Sequence, residues 1–370
     1  MTFSKDVLRF DERAVMSLRS LYRQYGYAQY RMSKFEEYEL YARNMSFLAS
    51  ESIITFTDVR GRLMALRPDV TLSIVKNLAD DGGTRKLYYN ENVYRPGGFG
   101  HEFKERVQAG LECIGEVDVY SMCEVVMLAE LSLRTISDNY CLDISHMGFL
   151  SGLLESAAPD DALRGELLRR ISEKNVPELM RICTENKLPT GFCEKITTLA
   201  ALYGPYDETI ATLRAISPNA ETDAALGELE QIYNTLDQLG ATKHLRLDFS
   251  LVNDMSYYSG VIFQGFIDGV PMAVLSGGRY DKLLEKFGKT SGAIGFAVYL
   301  DLLERIDPPR RFDVDILLLY DADTDTGEVA HAMKRLTVEG YSVKAQRGEP
   351  GAVKYGRLMR VVDGEAQDVK

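Results

Sequence analysis

Positive charge is in short supply in this sequence: 43 lysines and arginines face 55 aspartates and glutamates, a net charge of −12 over 370 residues. Such a surface repels a phosphate backbone unless a local basic patch offsets it, so nucleic acid is not expected as the main partner. No apolar run approaches the ~20 residues that span a bilayer, and the opening MTFSKDVLRFDERAV has no apolar signal segment. The five cysteines, Cys113, Cys123, Cys141, Cys183 and Cys193, are odd in number and form no C-x-x-C pair. They read as reduced thiols acting as small hydrophobes in a cytoplasmic protein, not as a disulfide or zinc framework. His101, His146, His244 and His331 have neither i, i+4 nor H-E-x-x-H spacing, which argues against a metal centre. A G-x-S-x-G elbow is absent. The stretch KFGKTSG comes nearest to a phosphate loop, but that loop needs a glycine where Leu283 stands, and without it the backbone cannot wrap the phosphates. No metal or cofactor is expected.

What is present is an ordinary globular composition, 45% hydrophobic and 26% charged, long enough for two or three domains. Val15, Leu18, Leu21 and Tyr25 recur at helical spacing, with Gly26 near the stop. SIITFTDVRGRLMALRPD reads as a β-hairpin turning at Gly61 and closed by Pro68. A helix in TLSIVKNLADDG follows, then strands in RKLYYNENVY and VQAGLECIG separated by the glycine-rich RPGGFGHEF. EVDVYSMCEVVMLAELSLRTIS is a long helix, and YCLDISHMGFLSGLLES a strand running into a helix. Residues 157–239 turn charged and helical with few strand signals, which suggests an insertion between 1–156 and 240–306. β character returns in HLRLDFSLVNDMSYYSGVIFQGF, in VPMAVLSGG after a D-G turn, and in GAIGFAVY before a last helix. DPPRR is a linker by composition. Beyond it, 312–370 offers a short strand–helix–strand fragment and a polar end. Hairpins separated by helices, without regular βαβ alternation, argue for α+β with a mostly antiparallel sheet.

Three separated segments hold the polar groups that need an explanation: RPDVT (Arg67 to Thr71), QAGLE (Gln108 to Glu112) and SYYSG (Ser256 to Gly260). Gln108 and Glu112 are evenly spaced on one strand, so both point to the same face. If that face is inward, two polar groups need partners, which a polar ligand would supply. The plainer alternative is a solvent-exposed strand face.

These segments resemble the histidyl-tRNA synthetase core, a class II aminoacyl-tRNA synthetase domain, from about residue 5 to residue 305. FEEYELYARN…ESIITFTDVRGRLMALRPDVT is similar to the family's first motif and following strand pair, and NVYRPGGFGHEFKERVQAGLECIGE to its second. LRLDFSLVNDMSYYSGVIFQGF is similar to its histidine-specific segment, and SGGRYDKLLEKFG…SGAIGFAVYLDLL to its third motif. The resemblance implies a histidine-binding set of Asp69, Thr71, Arg95, Gln108, Glu112, Tyr257 and Tyr258. In it Asp69, Thr71 and Gln108 take the amino group, and Glu112 and Tyr258 the imidazole. Asp69 stands where the family has Glu, a carboxylate on a shorter arm. A carboxylate suits an ammonium, and an acceptor beside a phenol suits a ring N–H.

The cationic positions depart from the family. The second-motif arginine falls at Tyr94 by counting, with Arg95 one residue away, and the adenine-stacking aromatic falls at Arg106. The histidine-specific arginine is Asn253, and the Glu-Arg of the third motif is Asp301-Leu302. Adenylation needs positive charge on the ATP phosphates, and one lost charged contact typically costs ~10²–10³ in rate. The fragment at 312–370 is also shorter than the synthetase's anticodon-binding domain, so neither activation nor tRNA binding is expected. A degraded motif set on this core is similar to the regulatory subunits of ATP phosphoribosyltransferase. That likeness implies a non-catalytic protein in histidine biosynthesis, dimeric through the first-motif region. It would partner a short-form catalytic subunit and have histidine as effector. A divergent active synthetase, or a histidine-binding paralogue without that partner, are the alternatives.

Overall fold

In the computed structural model, which describes residues 8–45, 53–78, 82–96, 103–252, 257–305 and 311–369, the first helix is α1 (Phe10–Gln24). Its fully buried line is Ala14, Leu18 and Tyr22, while Val15, Leu21 and Tyr25 flank it half-buried. Gly26 ends the helix at φ +81°, a conformation that glycine adopts without steric cost. Next come β1 (Ala28–Gln29), β2 (Phe35–Glu37), α2 (Tyr38–Ala42), β3 (Thr55–Thr57) and β4 (Leu63–Leu66). Strands β2, β4 and β3 form a small antiparallel sheet. The β3–β4 turn is the expected hairpin: Asp58 Oδ1 accepts from the amides of Arg60 and Arg62, and Gly61 takes φ +80°.

Helix α3 (Thr71–Asn77), strands β5 (Arg85–Pro96) and β6 (Phe103–Gly115), helix α4 (Val119–Ile136), strand β7 (Tyr140–His146) and helix α5 (Met147–Glu155) follow the sequence expectation. Residues 97–102 of the glycine-rich loop lie outside the described residues. Asp118 caps α4, its Oδ1 accepting from the Ser121 amide at 2.8 Å. Residues 157–239 hold helices α6 (Asp161–Ser172), α7 (Val176–Glu185), α8 (Thr190–Ala201), α9 (Tyr206–Ile216) and α10 (Ala220–Gln238). They are not purely helical: β8 (Tyr203–Pro205) adds an edge strand beside β9 (Leu245–Asp248). Strands β10 (Val261–Ile267) and β11 (Leu275–Arg279), helix α11 (Asp281–Lys286) and strand β12 (Gly292–Tyr299) follow. The strand expected over VPMAVLSGG is confined to its last part, in β11. The nine-stranded sheet runs β1-β5-β6-β12-β11-β10-β7-β9-β8, antiparallel except at β1–β5 and β7–β9. After β12 a 3-10 helix (Leu300–Arg305) packs Leu300 and Leu303 into the main core, in which α4 lies against the sheet.

The chain divides into compact units Met1–Ile306 and Asp307–Lys370. The second holds β13 (Val314–Tyr320), α12 (Thr326–Val338), β14 (Val343–Arg347), β15 (Tyr355–Val362) and β16 (Glu365–Asp368), in sheet order β14-β13-β15-β16. The polar end is thus a strand. Asp363 and Gly364, both at positive φ, turn β15 back into β16, as a D-G pair in a two-residue hairpin does. Ile316, Leu318, Met359 and Val361 pack there against Ala332 and Leu336 of α12.

Arg67 ties the small sheet to β5. Its guanidinium has no solvent exposure and donates to the Ser33 carbonyl at 2.6 Å, to Glu91 Oε2 at 2.9 Å and to the Asn92 carbonyl at 2.9 Å. Its backbone bonds Lys34 on one side and Tyr94 on the other. Removing one partner of such a buried pair leaves the other charge uncompensated. Arg67→Met is therefore expected to cost about 3–5 kcal/mol in urea unfolding; a loss below about 1 kcal/mol would show that the link is dispensable.

Candidate functional site

The polar residues singled out along the sequence converge on one cavity of about 80 Å³. Strand β6 supplies Gln108 and Glu112, both buried, so the inward-facing alternative holds. Register explains the rest. Tyr89 of β5 lies opposite Gly110 of β6, and on the other side Gly295 and Tyr299 of β12 lie opposite Glu112 and Gln108. Asp69 and Thr71 come from the start of α3, where Asp69 Oδ1 accepts from the Leu72 amide at 2.9 Å. Tyr257 and Tyr258 enter from the segment before β10, and Tyr280 from the turn after β11.

Glu112 sits at the bottom, 1% exposed. Thr71 Oγ1 donates to its Oε1 at 2.9 Å and Tyr280 Oη to its Oε2 at 2.5 Å. Glycine is required opposite: a Cβ on Gly295 would stand 1.8 Å from Glu112 Oε2. Gly110 makes the same kind of room for the Tyr89 ring. Burial pushes the Glu112 carboxyl up to about 8, against the two hydroxyl donors that favour its charged form, and Asp69 adds to the rise. Burial likewise raises Tyr89, Tyr257, Tyr258, Tyr280 and Tyr299, so all five hydroxyls stay protonated. The Tyr257 ring lies 4.5 Å from that of Tyr258 and 5.7 Å from that of Tyr280, which makes one aromatic wall.

Among the described residues that line the cavity, Arg95 is the cation. Its Nε donates to the Pro68 carbonyl at 2.7 Å and its Nη2 lies 3.6 Å from Asp69 Oδ2. The position reached by counting, Tyr94, is on the other face of β5, where its hydroxyl donates to Glu105 at 2.9 Å. Arg106 does not line the cavity; its Nε is 3.8 Å from Asp301 Oδ2. Leu302 packs against the main core. Asn253 and Ser256 lie outside the described residues. Sequence reasoning overlooked Tyr89, Ser276, Tyr280, Gly295 and Tyr299 as lining residues. Tyr89 and Arg95 share strand parity, a usable signal, but Gly295 and Tyr299 depend on the β6–β12 register.

A family model for histidyl-tRNA synthetase matches residues 6–303, which contain this whole cavity. An ATP phosphoribosyltransferase regulatory subunit from Clostridium kluyveri is 31% identical over 82% of this chain and 81% of its own length. The chain belongs to this family of synthetase-like regulatory subunits. A crystal structure of an ATP phosphoribosyltransferase regulatory subunit/histidyl-tRNA synthetase from Bacillus halodurans superimposes with a TM-score of 0.76 at 25% identity, over 95% of this chain and 93% of that one. The ATP phosphoribosyl transferase (HisG:HisZ) complex from Thermotoga maritima shares the fold, with a TM-score of 0.62 at 20% identity over 78% of this chain and 97% of that one. The family's fold, a class II synthetase-type core, is the nine-stranded sheet described above.

The buried carboxyl gives the site a measurable signature. Glu112 ionises near 4.5 when exposed and near 8 when folded, so its favourable contribution is complete below the lower value and lost as pH rises through the upper one. Glutamine cannot ionise. The stability of Glu112→Gln relative to the parent is therefore expected to improve steadily between these two values, read as urea midpoints across that range. A constant gap would mean that the carboxyl titrates as it does in water.

Proposed function

We propose that this chain is a non-catalytic regulatory subunit. It joins a short-form ATP phosphoribosyltransferase catalytic subunit, raises the rate at which that partner condenses ATP with phosphoribosyl pyrophosphate, and conveys feedback inhibition by histidine. The named relatives support the first part, and the cavity supports the last. Asp69 and Arg95 offer one carboxylate and one guanidinium for the two ends of an α-amino acid. Deeper in, Glu112 and the tyrosine wall offer acceptors and a flat apolar surface to an imidazole. An incoming ring N–H favours the ionised form of Glu112, to which, among the described residues, Thr71 and Tyr280 donate hydroxyl hydrogen bonds and no cation is paired.

The carrying observation is the contrast between this polar cavity and the side chains beside it. Leu302 has no donor, and Arg106 is turned toward Asp301. A phosphate-activating site needs free guanidinium groups aimed at the transferring phosphoryl group. Inhibition through the retained cavity is a coupling free energy of about 1–3 kcal/mol between effector and catalytic sites. The protein acts as a homodimer within a hetero-oligomer in the cytoplasm, without tRNA. Phe35 and Phe56, exposed and in ring contact at 5.4 Å on the small sheet, are apolar surface of the first-motif region that a second copy covers.

Mixing the chain with a short-form catalytic subunit is expected to raise ribosyl transfer, and histidine to lower it again; no rise on mixing would overturn the assignment. Histidine-dependent ATP–pyrophosphate exchange is expected to be absent, and its presence would favour a divergent synthetase. Glu112→Ala and Tyr258→Phe are each expected to raise the histidine needed for half-inhibition about tenfold or more while activation persists. Unchanged inhibition in both would place the effector elsewhere.

A further inference from the structure

Helices α7 and α8 form a hairpin in the insertion, and a groove of about 590 Å³ runs along it. Two cysteines line that groove together with Met180, Thr184, Lys187 and Glu194. Cys183 is in the last turn of α7 and fully buried; Cys193 is near the start of α8 and half-buried. Leu188 ties the two positions together. Its amide donates to the Cys183 carbonyl at 3.0 Å, and its own carbonyl accepts from Cys193 Sγ at 3.7 Å. The Cys193 sulfur is near enough to act directly on the Cys183 thiol. Cys113, Cys123 and Cys141 lie on β6, α4 and β7, outside this hairpin.

The pair is chemically asymmetric. Burial, reinforced by the neighbouring Cys193, pushes the Cys183 thiol up to about 12. Cys193 is only half-buried and opens to the groove, which Lys187 also lines, whereas Cys183 lies beneath it with no more than a trace of exposure. One thiol is placed to attack and the other to resolve.

We propose that Cys183 and Cys193 form a dithiol site for a low-molecular-weight disulfide of the glutathione class, and that exchange there closes a Cys183–Cys193 disulfide across the hairpin. Cys193 Sγ, having lost its proton, attacks one sulfur of the small disulfide; the S–S bond breaks and the first small thiol leaves, taking up a proton. Cys183 Sγ then attacks Cys193 Sγ in the mixed disulfide, which releases the second small thiol with the proton from Cys183. Two protein thiols are oxidised by two electrons and one small disulfide is reduced to two thiols.

The test is to incubate the full chain, folded, with oxidised glutathione, then denature, alkylate with N-ethylmaleimide and map the peptides by mass. Cys183 and Cys193 are expected to leave the alkylated pool together, to appear as one cross-linked peptide, and to return after dithiothreitol, while Cys113, Cys123 and Cys141 stay alkylated. Cys183→Ser is expected to accumulate the glutathione adduct at Cys193, and Cys193→Ser to form neither adduct nor cross-link. Full alkylation of both cysteines in the parent chain, or arrest of the parent chain at a Cys193 adduct, would overturn the proposal.

Discussion

The site depends on the burial of one carboxyl group. Glu112 occupies space that exists because Gly295, opposite it on β12, has no side chain. Thr71 from α3 and Tyr280 from beyond β11 each place a hydroxyl on it. Elements far apart in the chain thus meet on two oxygen atoms. An unsatisfied buried carboxyl costs several kcal/mol, so each of these contacts is constrained by the others. The cavity's polarity, its aromatic wall and its proton balance all follow from that arrangement.

A synthetase-type core has two neighbouring tasks, holding an amino acid and gripping a nucleotide, and they place opposite demands on charge. Asp69, Glu112 and neutral hydroxyls suit the first, and here they line one cavity. The second uses cations. Arg106 faces Asp301 and Leu302 serves the core, whereas Arg95, bonded to the Pro68 carbonyl, lines the cavity. The two demands fall on different side chains of one fold.

Periodicity carried most of the architecture. The spacing of Leu18 within α1, the R-G-R turn between β3 and β4, and the parity of Gln108 and Glu112 each matched a local rule that the tertiary structure did not override. Misreadings arose where the signal was short or polar. Tyr203–Pro205 is too brief to alternate, and becomes a strand only because β9 offers an edge. Glu365–Asp368 has no apolar pattern, yet the Asp363–Gly364 turn commits it to pair with β15. Counting along the second motif led to Tyr94, whereas the pleat of β5 turns Arg95 to the cavity and Tyr94 away.

By itself the sequence determined the α+β class, the helical character of 157–239, and the face shared by Gln108 and Glu112. These are local or additive properties, readable one segment at a time. Only the tertiary structure decided that Tyr89, Tyr280 and Tyr299 complete the cavity, that Gly295 makes room for Glu112, and that Cys183 and Cys193 face one groove. Those facts depend on strand register and helix packing, which bring together residues whose separation in the chain carries no trace of the contact.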